Sequence, residues 1–207
     1  MYVGLNGAEL YDVYDKEYRS FYKLKINEIK EIVEVMAPFV KHEYYKRGDM
    51  IRYDDDITSF KDRKLDDCLP IDDIYDLKID EIGKVLYHFD LNKAMEIKRF
   101  IDVHINECHK DYHGFKTQLG YLEFSNIHTS KAVLMIYYAN KHQIDMSEVM
   151  ALGDTTNDNA MIEASGVGVC LKNGTDDTKK IADIITEYTN NEEGVYRFLK
   201  DYFSMPL

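Results

Sequence analysis

Gly153-Asp154-Thr155-Thr156-Asn157-Asp158 decides how this 207-residue chain is read. Val149, Met150, Ala151 and Leu152 form a short apolar run leading in, and residues 157–165 form a helix-like run leading out. That pattern is a strand entering a helix through a tight turn, with Asp154 at the carboxyl end of the strand, where open α/β sheets place their ligands. Asp158 follows four residues later, so both carboxylates fall on one side of the turn. Like charges that close repel unless a cation lies between them, and a hard cation such as Mg²⁺ takes oxygen ligands of this kind. The same residues also read as an ordinary helix start, with Thr155 or Thr156 as cap and both aspartates favouring its positive end. The hexapeptide by itself leaves both readings open.

Working outward, residues 167–171 read as a strand, 175–182 as a helix and 184–186 as a strand. With the strand at 149–152 this gives a βαβαβ series and therefore a parallel sheet. Upstream, Thr129 or Ser130 can cap a helix that runs to His142. Its interior, 132–139, is apolar nearly all round and is expected to be well buried. Asn190 with Glu193 resembles a capping box for a last helix over 192–202. Tyr2-Val3-Gly4-Leu5 is a short apolar run before an Asn6-Gly7 turn, and is expected to be an earlier visit of the chain to the same sheet.

The intervening stretch follows a different plan. Residues 9–14 and 18–24 read as strands around Asp15-Lys16, and Ile26, Ile29, Ile32, Val33 and Met36 mark a helix stopped by Pro38. Residues 39–45 and 50–53 flank Arg47-Gly48-Asp49 as a hairpin, and the charged stretch 54–73, with Pro70, reads as a short helix with loops. A strand over 84–89, a helix over 91–105 and a hairpin of 107–112 with 117–124 around His113-Gly114 complete an α+β pattern. The boundary falls near Ser125: residues 1–8 and 126–207 make an α/β core, and residues 9–125 an inserted domain.

Composition narrows the class of function. Hydrophobic residues make up 45% of the chain, enough for a real core, and the formal net charge of -12 argues against a nucleic-acid backbone or an anionic membrane as partner. Cys68, Cys108 and Cys170 are far apart and form no CxxC pair, which points to reduced thiols and a cytoplasmic protein. No apolar run approaches a membrane span.

Two further places can carry chemistry. Lys131 lies in the first turn of its helix, where a cation opposes the helix dipole. Either an anion binds there, between backbone N–H groups and the ammonium, or Lys131 is a solvated surface residue. Asn173-Gly174 sits just past a strand end on the side expected for Asp154, and turn chemistry alone also accounts for both residues.

The order of parts (NGAELYD near the start, a long insert, then YLEF…TSKAVLM, GDTTNDNAMIEASGVGV, KNGTDDTKKIAD and NNEEGVYRFL) resembles the Cof-type phosphatases of the haloacid dehalogenase superfamily. The resemblance runs from about residue 2 to residue 203 and is weakest in the middle. It implies a Rossmann-like parallel-sheet core and an inserted α+β cap that covers the site and selects a small phosphorylated metabolite, such as a sugar phosphate. By the same resemblance Lys131 steadies the nucleophile and the phosphate. Asp154 holds Mg²⁺, with Asp158 as second ligand or as support behind it. Asn157 lies near the phosphate, and Asn6 and Asn173 lie beside the site.

Departures from the family pattern carry equal weight. Such phosphatases begin with a strand ending in DxDGT, whose first aspartate attacks phosphorus and whose second acts as acid and base; a later strand supplies a phosphate-binding Thr or Ser. Both precede the NGA segment by tens of residues, whereas here Asn6 is the sixth residue. Ala132 stands where members usually have glycine. The expectation is an α/β core incomplete at its amino-terminal part, no turnover by this chain alone, and weak Mg²⁺ binding. A sheet edge left open beside residues 149–152 could take an amino-terminal fragment or a second copy, which makes a non-catalytic interaction protein the alternative. Asp54-Asp55-Asp56-Ile57-Thr58 matches DxDxT by letter, but it lies in the insert and reads as a solvated acidic turn. Tyr44, Tyr45, Tyr53, Tyr87 and Tyr112 are expected to pack rather than to line a sugar site.

Overall fold

The computed structural model describes residues 2–13, 15–41, 44–55, 69–71, 80–107, 111–117 and 120–204. The chain divides into two compact units, Met1–Leu10 with Ser130–Leu207, and Tyr11–Thr129. The first unit opens with β1 (Tyr2–Gly4), and β2 (Glu9–Asp12) carries the chain out of it. Strand β1 hydrogen-bonds to β2 and is not part of the parallel sheet formed later in the chain. The expected early visit to that sheet is thereby corrected. The tight Leu5–Gly7 turn sends the chain straight back, so β1 meets its immediate successor first.

The second unit contains β3 (Glu17–Ser20), β4 (Leu24–Lys25) and α1 (Ile26–Met36). Helix α1 buries Ile29, Ile32, Val33 and Met36, one stripe at helical spacing, and Glu28 accepts the Lys25 backbone N–H at 2.8 Å at its start. Pro38 follows in a single 3₁₀ turn. Then come β5 (Tyr44–Arg47), β6 (Met50–Asp54), β7 (Leu69–Ile71), β8 (Glu81–Ile82), β9 (Lys84–His88), α2 (Leu91–Ile101), β10 (Tyr112–Lys116) and β11 (Tyr121–Asn126). Six of these strands form one sheet in the order β10-β11-β9-β6-β5-β7, antiparallel except for β6 beside β9. The short β4 and β8 pair separately.

One face of the six-stranded sheet carries the core. Ile51, Tyr53, Val85, Tyr87, Leu122 and Phe124 pack there with the buried stripes of α1 and α2. Four of the five tyrosines named from the sequence, Tyr44, Tyr53, Tyr87 and Tyr112, are buried, and the Tyr44 and Tyr87 hydroxyls meet at 3.1 Å. On the alternate positions the polar residues satisfy one another: Asp54 takes Arg52 and His88, each at 3.0 Å, and Glu123 takes Lys84 and Thr117, each at 2.9 Å.

Two details differ from the sequence reading of this unit. Helix α2 ends at Ile101 and widens into a π-turn, Asp102–Asn106. His113 and Gly114 lie inside β10 rather than in a turn. Gly114 is there for closeness: a Cβ on it would sit 2.6 Å from Ile101 Cγ2 and 2.7 Å from the Phe124 ring. The Asn106 amide then reaches Gly114 from the side, donating to its carbonyl and accepting its N–H, both at 2.8 Å. The helix expected within residues 54–73 falls largely outside the described residues, as do Asp56, Ile57 and Thr58.

Back in the first unit, α3 (Lys131–Lys141) is followed by β12 (Met150–Gly153), α4 (Asn159–Ala164), β13 (Val167–Cys170), α5 (Asp176–Ile181), β14 (Ile184–Ile185) and α6 (Gly194–Tyr202). The strands make a parallel sheet in the order β12-β13-β14, with Leu152 opposite Val169 and Val169 opposite Ile184. Helix α3 buries only Ala132, Leu134 and Ala139 and leaves Ile136 36% exposed, so the expected all-round burial does not hold. Ser130 makes no side-chain cap to α3, and the Thr129 hydroxyl bonds to the Tyr22 carbonyl instead. The last capping box is Thr189 with Glu192, one residue earlier than Asn190 with Glu193. Glu193 takes a left-handed conformation at φ 61° and separates a 3₁₀ turn from α6.

The turn that starts the first unit is sterically fixed. Asn6 is left-handed at φ 56°, a conformation asparagine tolerates, and Gly7 has φ +107°. A Cβ on Gly7 would lie 2.0 Å from the Ser130 carbonyl oxygen. Gly7→Ala is expected to destabilise this unit by about 2 kcal/mol or more, the sum of a left-handed penalty and a forced backbone shift. Urea unfolding of the variant against wild type checks it.

Candidate active site

The site is built from the carboxyl ends of β12, β13 and β14 and the start of α3, all within the first unit. Three parallel strands end on one edge of their sheet, so the loops after them must lie side by side. Asp154 and Asp158 come from the first loop, Asn173 from the second, and Asn190 from the third.

Asp158 is the organising side chain. It is 4% exposed, yet every face of its carboxylate is engaged. One oxygen takes the Lys131 ammonium at 2.5 Å. The other accepts the Asp154 N–H at 3.0 Å and the Thr155 N–H at 3.1 Å. Gly153 makes this possible, because a Cβ there would stand 2.4 Å from the Asp158 Cβ. Thr155 and Asp158 form the capping box of the helix-start reading, and the Asp158 carboxylate is paired with the Lys131 ammonium.

Asp154 is oriented by its neighbours. Its carbonyl accepts the Thr175 N–H at 2.9 Å, and one carboxylate oxygen accepts the Asn190 side-chain amide at 3.4 Å. Asn190 also donates its backbone N–H to the Asn173 side chain at 2.9 Å. The sequence reading gave Asn190 a capping role; its part in joining Asp154 to Asn173 depends on loop proximity that no local pattern reports. Asn157 accepts the Thr155 hydroxyl at 2.5 Å, which fixes its carbonyl oxygen and leaves its amide as a donor. Asn6 is brought to the start of α3, since a Cβ added to the adjacent Gly7 would stand 3.3 Å from the Lys131 backbone nitrogen. Cys170 lies behind the second loop, and burial pushes its thiol pKa up, away from reactivity.

The arrangement presents one ammonium, several amide donors and the carboxylate of Asp154 at a strand-end edge, a set suited to an anion that carries several oxygens. As a Mg²⁺ site it falls short. Both Asp158 oxygens are occupied, Asp154 has one oxygen in a hydrogen bond, and among the described residues no group of three or more His, Cys, Asp or Glu side chains converges. Mg²⁺ requires near-octahedral oxygen coordination, which these residues alone do not complete.

The DxDxT match offers no substitute. Asp54 is 2% exposed and paired with Arg52 and His88. Asp55 binds Lys93 at 3.0 Å and Tyr53 at 2.9 Å; burial pushes its pKa up, but these partners outweigh that and bring it down. Both described carboxylates are tied into the fold rather than presented to a substrate, and neither is the solvated turn expected from sequence.

Comparison with known proteins agrees with this geometry. A model of the haloacid dehalogenase-like hydrolases matches residues 1–199. The 5-amino-6-(5-phospho-D-ribitylamino)uracil phosphatase YitU of Bacillus subtilis is 27% identical over 98% of this chain and 76% of its own length. The phosphatase YcsE of the same organism, which carries the same activity name, is 31% identical over 62% of this chain and 45% of its own length. Among solved structures, a haloacid dehalogenase-like hydrolase from Bacteroides thetaiotaomicron superposes with a TM-score of 0.70 at 24% identity, covering 95% of this chain and 74% of its own. With a strand-end carboxylate pair, a helix-start lysine and a family model that spans nearly all of its length, the chain belongs to the haloacid dehalogenase-like hydrolases.

Proposed function

We propose that residues 1–207 carry the anion-binding half of a phosphatase of small phosphate monoesters, with sugar or sugar-alcohol phosphates as the substrate class. The observation that supports this most directly is the Lys131–Asp158 pair, which holds an ammonium at a helix start beside the loops of three parallel strands. In this reading Lys131 offsets charge on the phosphoryl oxygens as it develops. Asn157, Asn173 and Asn6 donate hydrogen bonds that orient the phosphate, and Asp154 faces it as the carboxylate left for a cation. Asp158 acts through Lys131 and the backbone and touches neither phosphate nor metal. The unit Tyr11–Thr129 is the cap that selects the organic part of the substrate. The similarity to YitU, a phosphatase whose substrate carries its phosphate on a ribityl chain, favours polyol phosphates in the test panel.

The 207 residues contain no strand ending in DxDGT, so an attacking aspartate and a partner carboxylate for Mg²⁺ are not supplied by this stretch. Positioning and electrostatics remain without a group to form the covalent intermediate. A second reading is a non-catalytic protein that recruits another chain. It is favoured by the place of β12, which among the described residues has a strand partner on one side only. That partner would be an amino-terminal fragment or a second copy, and a clean monomer in sedimentation counts against it. No helix among the described residues is long and apolar enough to cross a membrane. We assign the protein to the cytoplasm from its three scattered cysteines, and its net charge of -12 argues against a nucleic-acid partner.

Purified residues 1–207 are expected to show no Mg²⁺-dependent release of phosphate from a panel of sugar and polyol phosphates. The same chain extended by whatever its gene encodes upstream should do so if that extension brings a DxD strand. Efficient turnover by residues 1–207 alone would overturn the inactive part of the reading; inactivity of a DxD-extended form would overturn the phosphatase itself. Calorimetry with Mg²⁺ should find weak binding, and tight stoichiometric binding would contradict the donor count above. Lys131→Met leaves a buried carboxylate without its cation. It should cost this unit about 2 kcal/mol of stability, less than the ~3–5 kcal/mol of a fully buried pair because the lysine side is partly solvated. Denaturant unfolding reads it.

A further inference from the structure

The loop that carries Asp154 and Asp158 is tied at both ends to a neighbour that the proposed chemistry does not use: the first turn of α5. At one end the Asp154 carbonyl accepts the Thr175 N–H at 2.9 Å. At the other, Asn159, the first residue after Asp158, accepts the Thr178 hydroxyl at 2.7 Å. The two threonines are joined in turn, hydroxyl to hydroxyl at 2.8 Å. Thr178 has a single hydroxyl proton and spends it on Asn159, so Thr175 is the donor in the threonine pair. Thr175 also caps α5 by accepting the Thr178 N–H at 3.4 Å. The result is one polarised run, Thr175 to Thr178 to Asn159, that brackets the loop.

Thr178 is 0% exposed. A buried hydroxyl is costly unless bonded, and it restricts its partner more than a methyl group would, because the bond has a direction. An apolar pair of similar size would bury as well without fixing where the loop begins and ends. We infer that Thr178 is a positioning residue: through Asn159 and Thr175 it holds the loop so that the Asp154 and Thr155 N–H groups stay aimed at Asp158, and Asp158 at Lys131. The role rests on the proposed site for its consequence, but its test does not need phosphatase activity.

The test is amide hydrogen exchange by NMR on residues 1–207. In Thr178→Val the amides of Asp154 and Thr155 should exchange at least ~10-fold faster than in wild type, while the amides of β13 keep their rates; ten-fold corresponds to about 1.4 kcal/mol of local opening, the size of one lost buried hydrogen bond. Thr178→Ser keeps the hydroxyl and should keep wild-type protection. The double variant Thr178→Val with Asn159→Leu removes the orphaned Asn159 acceptor, leaves the exposed Thr175 hydroxyl to water, and should be better protected than Thr178→Val alone. If Thr178→Val does not fold, Asn159→Ala carries the test, since it removes the acceptor from the less buried end and should loosen the same two amides. Unchanged exchange at Asp154 and Thr155, or an equal acceleration throughout the parallel sheet, would overturn the positioning role. A failure of phosphatase activity in an extended chain would bear on the proposed function and leave this result standing.

Discussion

A carboxylate buried at the end of a strand cannot stay ionised without compensation, and the whole of the first unit's site follows from how Asp158 is compensated. It needs a cation and several N–H donors at once. The cation comes from a helix 27 positions back in sequence, and the donors come from its own loop. To receive them, the strand must end in a residue without a side chain, and Gly153 does. To deliver the lysine, α3 must start beside the sheet edge, and the Gly7 turn lies against that start. Each of these features is a condition on the others. A lysine in the first helical turn, unfavourable to the helix dipole by itself, is explained by the carboxylate it serves.

Much of the parallel-sheet unit was legible in the sequence because its signals are local. Apolar runs of four or five residues, separated by Gly, Asn and Thr, mark strands, turns and caps within a residue or two, and their alternation determines a parallel sheet. The carboxylate pair was also legible, since a spacing of four and a strand before it put both aspartates at one end. The partner of the Asp158 carboxylate was not. Repulsion between the two carboxylates calls for positive charge without saying whether it is a metal or an ammonium, and only the fold brings Lys131 to Asp158.

The misreadings have a common physical origin. His113-Gly114 looks like a turn because glycine usually means one, whereas here glycine is required by the approach of Ile101 and Phe124. Tyr2 to Gly4 is apolar enough for the sheet, yet a tight turn returns the chain before any other strand is available. Asn190 reads as a cap, and the structure gives that task to Thr189 and leaves Asn190 to hold its neighbours' side chains. In every case the local pattern was satisfied by two arrangements, and a long-range contact chose between them. The tyrosines of the second unit show the reverse: packing was the expected role, and the hydroxyls of Tyr44, Tyr53 and Tyr87 find each other or Asp55.

The amide of Asn106, bonded to both the N–H and the C=O of Gly114, gives the six-stranded sheet a property beyond its stability. Among the described strands β10 lies at one end of the sheet, and an end strand offers its outward backbone groups to any extended peptide. At Gly114 both groups are already taken by a side chain that imitates a peptide bond. A strand from another molecule could pair with β10 at Gly114 only after displacing that amide, which the π-turn Asp102–Asn106 carries. At this end of the sheet the side chain of Asn106 thus takes the place that a strand of a second copy would need.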